Sequence, residues 1–441
     1  MRTGIILSAL AAVTLSLFSC TRNEPLNPGG TGARITEDRL PSKEVRHVMV
    51  MIAGGYNSLS DYMKDDMNEL AQSYLPAGTA RSKDVLLVLS RFPYKRGDYS
   101  TPVSPVLFRL YAGADGNPVR DTLHRWDPET RLCDASTIRE ALQLTYDLFP
   151  AKGYGVVFSS HGSGWLPSGY YNDPEAYERE HGGQGSTDAD TWSLRSLRAR
   201  HEVFPPIPEY PAVKSLGQDR GEPESVEMEL KDLAEAIPIH LDYFLMDACL
   251  MGCVEVAYAL RGVADIVGFS PTEVMANGFD YNTISQRLLR PELDPVAVCQ
   301  DYFAFYDAQT GSSRSATISV VDTRKMDDLA AVCRELFQVY RDQIQALPGS
   351  RVQGYFRVNR HYFYDLKDIL VQAGITAEET ERLDAALDKC LLYKADTPSF
   401  LSIPLLRTCG LSMYLPSMGT ELLDTFYKEN MAWNQATELV Q

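Results

Sequence analysis

Apolar residues along this chain gather in short runs of strand length, and stretches of helical periodicity separate them. Residues 45–53 are the first strand candidate and end in the turn Gly54-Gly55. Residues 61–74 repeat apolar positions at Tyr62, Met63, Met67 and Leu70, as one face of a helix does. Residues 84–90 and 106–111 read as further strands. Residues 136–149 read as a helix with Ser136 as its N-cap. The pattern then repeats with a difference. Val156-Val157-Phe158 is an apolar run that stops at two serines, His161 and Gly162. A helix over 225–236 leads to a second such run, Tyr243-Phe244-Leu245-Met246, which stops at Asp247-Ala248-Cys249. A helical pattern is expected to start there and run over 250–260. Strands over 264–269 and 316–321 follow, with helices over 295–309 and 326–347. A helical pair is expected over 364–374 and 376–391, and a late strand over 410–415. This alternation predicts an α/β fold: a mostly parallel central sheet with helices on both faces.

The ends and the middle do not share the rhythm. Arg2, an apolar stretch over 5–18 and the string Leu17-Phe18-Ser19-Cys20 form an export signal ending in a lipobox-like site. An apolar stretch of about fourteen residues is too short to span a bilayer. A simple secretory cleavage site is the alternative to lipidation at Cys20. Residues 21–44, rich in Pro, Gly and Asn, read as a flexible linker. The organisation expected is therefore a signal over 1–20, a linker over 21–44, an α/β core over 45–290, and a C-terminal extension over 291–441 packed on it. Residues 167–223 carry little apolar periodicity but hold Arg195, Arg198, Arg200 and Lys214. A loop that long is usually functional or disordered. His181-Gly182 within it follows no apolar strand, so it is not a second copy of the His161 motif.

Composition narrows the partners. With 441 residues and 44% hydrophobic side chains, the chain can bury a sizeable core. A net charge of −17 argues against nucleic acid and against electrostatic attachment to anionic lipid; it suits cationic peptides. Membrane contact is expected only through a lipid on Cys20. The 8 cysteines show no disulfide framework and no zinc spacing.

The two strand-end motifs carry the chemistry. Open α/β sheets bind ligands at the carboxyl ends of their strands. A cysteine there, at the start of a helix, gains unpaired N–H groups and a positive partial charge that favour its thiolate. If the two strands lie close in one sheet, the His161 imidazole meets the Cys249 thiol, and the N–H groups of Gly162 and Cys249 can form an oxyanion hole. The plainer reading is a core histidine and a buried structural cysteine. Cys253 falls one helical turn after Cys249 and reads as packing. Glu273 and Asp280, in the polar stretch over 271–282, can hold substrate, a cation or only their own loop.

A strand ending in His-Gly and another ending in Asp-Ala-Cys-Leu-Met-Gly resemble the clostripain family of cysteine peptidases, in the clan of caspases, gingipains and legumains. Residues 48–57 with 66–69, the segment 270–281 with Glu273, Gly278 and Tyr281, residues 319–322, Asp365-Leu366 and 410–416 resemble further family blocks. The resemblance implies a caspase-like three-layer α/β/α sandwich and a Cys249–His161 dyad, working through a thioester acyl-enzyme. It implies an endopeptidase that takes protein or peptide substrates, with Asp247 at the base of the pocket for the residue before the cut bond. There it would select Arg over Lys. It further implies self-cleavage after a basic residue between the two motifs, with Arg195, Arg198, Arg200 and Lys214 as candidates. The resemblance leaves calcium dependence open, although no acidic cluster here has a calcium-loop spacing. No cofactor is otherwise required, and a monomer in the cell envelope is expected. A cap on the following helix is the simpler role for Asp247. A catalytically silent binding protein, or a transpeptidase using the same acyl-enzyme, remain alternatives to hydrolysis.

Overall fold

The computed structural model describes residues 44–79, 82–171, 174–182, 212–213, 228–356 and 362–441. Thirteen strands occur among them. The first eight, in chain order, are β1 (Val45–Gly54), β2 (Asp84–Arg91), β3 (Val106–Ala112), β4 (Pro118–Arg125), β5 (Ala151–Ser159), β6 (Leu241–Asp247), β7 (Ala264–Phe269) and β8 (Thr317–Asp322). The short β9 (Tyr364–Asp365) and the longer β10 (Leu391–Asp396) come next, and three two-residue strands end the series: β11 (Ser399–Phe400), β12 (Ile403–Pro404) and β13 (Ser412–Met413). Nine of them form one sheet in the order β10-β8-β7-β6-β5-β1-β2-β3-β4. Its centre, from β7 through β6, β5 and β1 to β2, is parallel. Antiparallel pairs close it on both sides, β8 with β10 and β3 with β4.

Burial explains which strands the sequence announces. Every residue of β2 is buried, and nearly all of β1 and β6. A strand covered on both faces reads as a continuous apolar run. The two outermost strands do not. β4, PVRDTLHR, and β10, LLYKAD, are mostly only partly buried and carry charged residues, as suits sheet edges that must not pair with another molecule. Neither belongs to the expected set of elements. β8 and β10 come from the C-terminal third and complete the same sheet as the core strands. One group of helices, Ser60–Gln72, Tyr281–Leu288 and Pro295–Asp307, packs together on the sheet; the long helix Met326–Ala346 gathers Val254–Ala259, Leu366–Ala373, Ala377–Cys390 and Ala432–Thr437 in a second.

Three local expectations change. The helix over 135–148 has Asp134, not Ser136, at its N-cap, with no side-chain cap bond. A helix, Pro174–His181, lies in the stretch expected to be loop. The helix after Cys249 is shorter than its apolar pattern suggests and covers only Val254–Ala259. Residues 250–252 are held out of it. Leu250 takes a φ of 62°, and its N–H donates to the Thr272 carbonyl at 2.8 Å. The Gly252 N–H donates to the Ser270 carbonyl at 2.8 Å. A Cβ on Gly252 would lie 2.3 Å from the Pro271 nitrogen, so only glycine allows this approach.

Candidate active site

β5 and β6 are parallel neighbours, and Ser159 stands opposite Asp247 where both strands end. His161 and Cys249 follow those two residues at the same offset. Adjacent strands lie about 4.8 Å apart, so groups at matching positions beyond their ends come within side-chain reach of each other. The loops touch. A Cβ on Gly162 would lie 2.4 Å from the Cys249 carbonyl oxygen and 3.1 Å from its nitrogen. A Cβ on Gly164, at φ +64°, would lie 2.7 Å from the Leu250 carbonyl oxygen. Any side chain at Gly162 would drive the two motifs apart.

The thiol's surroundings differ from the expected helix terminus. Cys249 lies in the turn after β6, and the helix begins only at Val254 with Cys253 as N-cap. The helix end is therefore not the source of stabilisation at sulfur. A backbone amide takes its place: the Val274 N–H points at Cys249 Sγ at 3.1 Å. A donor aimed at sulfur favours thiolate. The Val274 carbonyl stands 3.7 Å from the same atom. Cys249 is fully buried in this arrangement, while His161 is half-buried. The cover extends one layer further. The Ala276 N–H donates to the Ala212 carbonyl at 2.8 Å, and Val213 forms an antiparallel bridge with Met275. Cys253 is a poor rival as nucleophile, since burial and the neighbouring Glu255 push its thiol well up.

Asp247 is completely buried, and Ser159 Oγ and the Tyr281 hydroxyl donate to its Oδ2 at 3.2 and 2.9 Å. It caps no helix, because Cys253 holds that position on the helix that follows. Its charge and burial push the Tyr281 hydroxyl well up, with burial the larger cause. Tyr281 also feels Asp66. Asp66 lines a cleft of about 180 Å³ with Asp65, Glu69, Asn277, Asp280 and Asn282. Burial and the charge of Asp280 raise the Glu69 carboxyl. Asp280 mostly holds its own loop: it accepts from the Asn282 N–H and caps the helix Tyr281–Leu288. Glu273 is fully buried.

Among the described residues no group of three or more His, Cys, Asp or Glu is arranged to hold a metal ion. Nor is any described helix long and apolar enough to cross a membrane. Arg195, Arg198, Arg200, Lys214 and Cys20 lie outside the described residues. The Val274 amide is the feature of this site that residue types could not announce, because the donor belongs to the backbone.

The site thus sets a thiol and an imidazole at the carboxyl edge of a parallel sheet, with a buried carboxylate beside them, in a caspase-like fold. Known proteins agree. Residues 207–390 match the model of the clostripain family. An inactive zymogen C11 protease from Parabacteroides distasonis is 28% identical, with a TM-score of 0.68 over 90% of this chain and 99% of its own. A secreted C11 cysteine protease from Bacteroides thetaiotaomicron, iotapain, shares 21% identity and a TM-score of 0.67, over 89% and 99% of the two chains. A secreted C11 protease of the same species, in complex with an irreversible peptide inhibitor, gives 23% and 0.66 over 89% and 99%. The latter two support the fold alone. No curated protein matches the sequence. By the family match over 207–390 and the 28% identical neighbour, the chain is similar to clostripain-family cysteine proteases.

Proposed function

We propose that the chain is an endopeptidase that cuts after basic residues, Arg before Lys, with Cys249 as nucleophile and His161 as its proton carrier. The observation that carries this reading is the register of β5 and β6. It sets the His161 and Cys249 motifs at equivalent positions, with Asp247 buried at the end of β6. Cys249 Sγ attacks the scissile carbonyl and the C–N bond breaks. His161 gives a proton to the leaving amine, and then takes one from the water that splits the thioester. The N–H groups of Gly162 and Cys249 stabilise the oxyanion. Asp247 receives the guanidinium in a charge-assisted pair, and the acidic cleft beside Tyr281 adds attraction for cationic chains. Turnover of peptides differing only at the residue before the cut bond tests this; a preference for an acidic or apolar residue there would overturn it.

Two further parts of the reading concern the chain's life rather than its chemistry. Self-cleavage at Arg195, Arg198, Arg200 or Lys214 fits the segment Ala212–Val213, which borders Lys214 and pairs with the loop that covers the thiol. Export with a lipid on Cys20 fits the signal-like amino terminus, and loss of fatty-acid labelling in Cys20→Ala is its test.

A further inference from the structure

Glu255 stands in the first turn of the helix Val254–Ala259, a few residues after Cys249, and is 1% exposed. Its Oε1 accepts the Tyr414 N–H at 3.0 Å and the Tyr427 hydroxyl at 2.7 Å. Both tyrosines come from the C-terminal end of the chain. Tyr414 follows β13, whose Ser412 donates its N–H to the Gly252 carbonyl at 3.0 Å and its Oγ to the same oxygen at 3.3 Å. Tyr427 comes from the helix Glu421–Asn430.

The two rings close on a third. Tyr414 and Tyr427 pack at centroid distances of 4.6 and 5.0 Å against Trp165, and at 4.8 Å against each other. Trp165 is fully buried and belongs to the loop that begins at His161. One carboxylate thus binds the cysteine side of the site to the C-terminal segment, and that segment walls the histidine side.

A carboxylate is a costly group to bury, and an aromatic cluster packs without one. What the carboxylate adds is direction. Two donors converging on one oxygen fix the Tyr414 backbone and the Tyr427 ring, and through the packing of both rings on Trp165 they fix where that end of the His161 loop stands. We propose that Glu255 is a positioning residue for the Cys249–His161 pair, acting through Tyr414, Tyr427 and Trp165. The C-terminal segment is then part of the catalytic apparatus. The inference rests on reading Cys249 and His161 as the reacting pair.

The test compares the full chain with Tyr427→Phe, Glu255→Ala and Glu255→Gln, each well below its own unfolding temperature. Two quantities are read: kcat and KM on an arginyl peptide, and the pH midpoint of Cys249 alkylation by iodoacetamide. Tyr427→Phe removes a single oxygen atom and leaves the ring, so it keeps the test open should Glu255→Ala fail to fold. A positioning role predicts a fall in kcat of about ten-fold or more in Tyr427→Phe with little change in KM. It also predicts a higher alkylation midpoint, because an imidazole no longer held in place stabilises thiolate less. Glu255→Gln retains the acceptor oxygen and recovers most of the kcat lost in Glu255→Ala. Wild-type kcat and midpoint in Tyr427→Phe, whatever its melting temperature, would overturn the inference. A wild-type chain alkylated at another cysteine in step with its inactivation would overturn the dyad itself, and this inference with it.

Discussion

Ser159 and Tyr281 hold Oδ2 of Asp247 from the strand beside it and from the helix across the site. A carboxylate fixed by two hydroxyls presents a set face to an incoming guanidinium, which rewards the fork of Arg over the point charge of Lys. Asp247→Asn should therefore abolish most turnover of arginyl peptides, while Cys249 still reacts with a small alkylating agent. Tyr281→Phe should narrow the Arg-over-Lys ratio by an amount of about 1.5–3 kcal/mol or less, the worth of one hydrogen bond to a charged group. Parallel kcat/KM measurements on both peptides check the pair of variants. Glu255 gives a pH prediction. Burial raises its carboxyl, with the Tyr427 and Tyr414 donors opposing that effect. An acid raised in the folded state contributes stability that is present below its unfolded value and lost as pH rises through the folded one. The melting temperature of Glu255→Gln should gain on wild type as pH climbs above the ordinary glutamate range. Equal curves would show that Glu255 is not raised.

At the scale of elements, the two motifs are legible because β5 and β6 are largely buried and end abruptly at Ser159 and Asp247, two residues before His161 and Cys249. The edge strands β4 and β10 are not, since their charged, partly buried residues leave no apolar run to read. The apolar pattern over 250–260 misled for a related reason. Periodicity reports burial, and Leu250 to Gly252 are buried as a loop pinned to Ser270 and Thr272. β6 ends at Asp247, so a shared pleat does not bring Asp247 and Cys249 to one face. Strand register brings them to the site instead. The pairing of Val213 with Met275 makes a prediction of its own. Val213 is 1% exposed, and a carboxylate there would be desolvated without a partner. Val213→Asp should loosen the cover and speed alkylation of Cys249 by roughly ten-fold, the equivalent of about 1.4 kcal/mol. An unchanged rate would mean that access to the thiol is set elsewhere.

At the scale of the whole molecule, the C-terminal third is built into the enzyme. It supplies β8 and β10 to the central sheet and the rings that close on Trp165. Cys249 is fully buried, so under the proposed function the nucleophile is covered in this structure. If self-cleavage near Val213 relieves that cover, intact mass should show two fragments joined at a bond within 195–214 in active protein. Cys249→Ala should give one uncut chain, and full activity in an uncut wild type would remove self-cleavage from the account. The central claim, that Cys249 attacks and Asp247 chooses the residue before the cut bond, meets its most direct test in one labelling experiment. Active protein is treated with an irreversible electrophile carried on a peptide ending in Arg, and the adduct is mapped by peptide mass spectrometry. The account predicts a single adduct on Cys249, formed in step with loss of activity and suppressed in His161→Ala and Asp247→Asn. An adduct on Cys253 or another cysteine, or peptide hydrolysis that survives in Cys249→Ala, would contradict it.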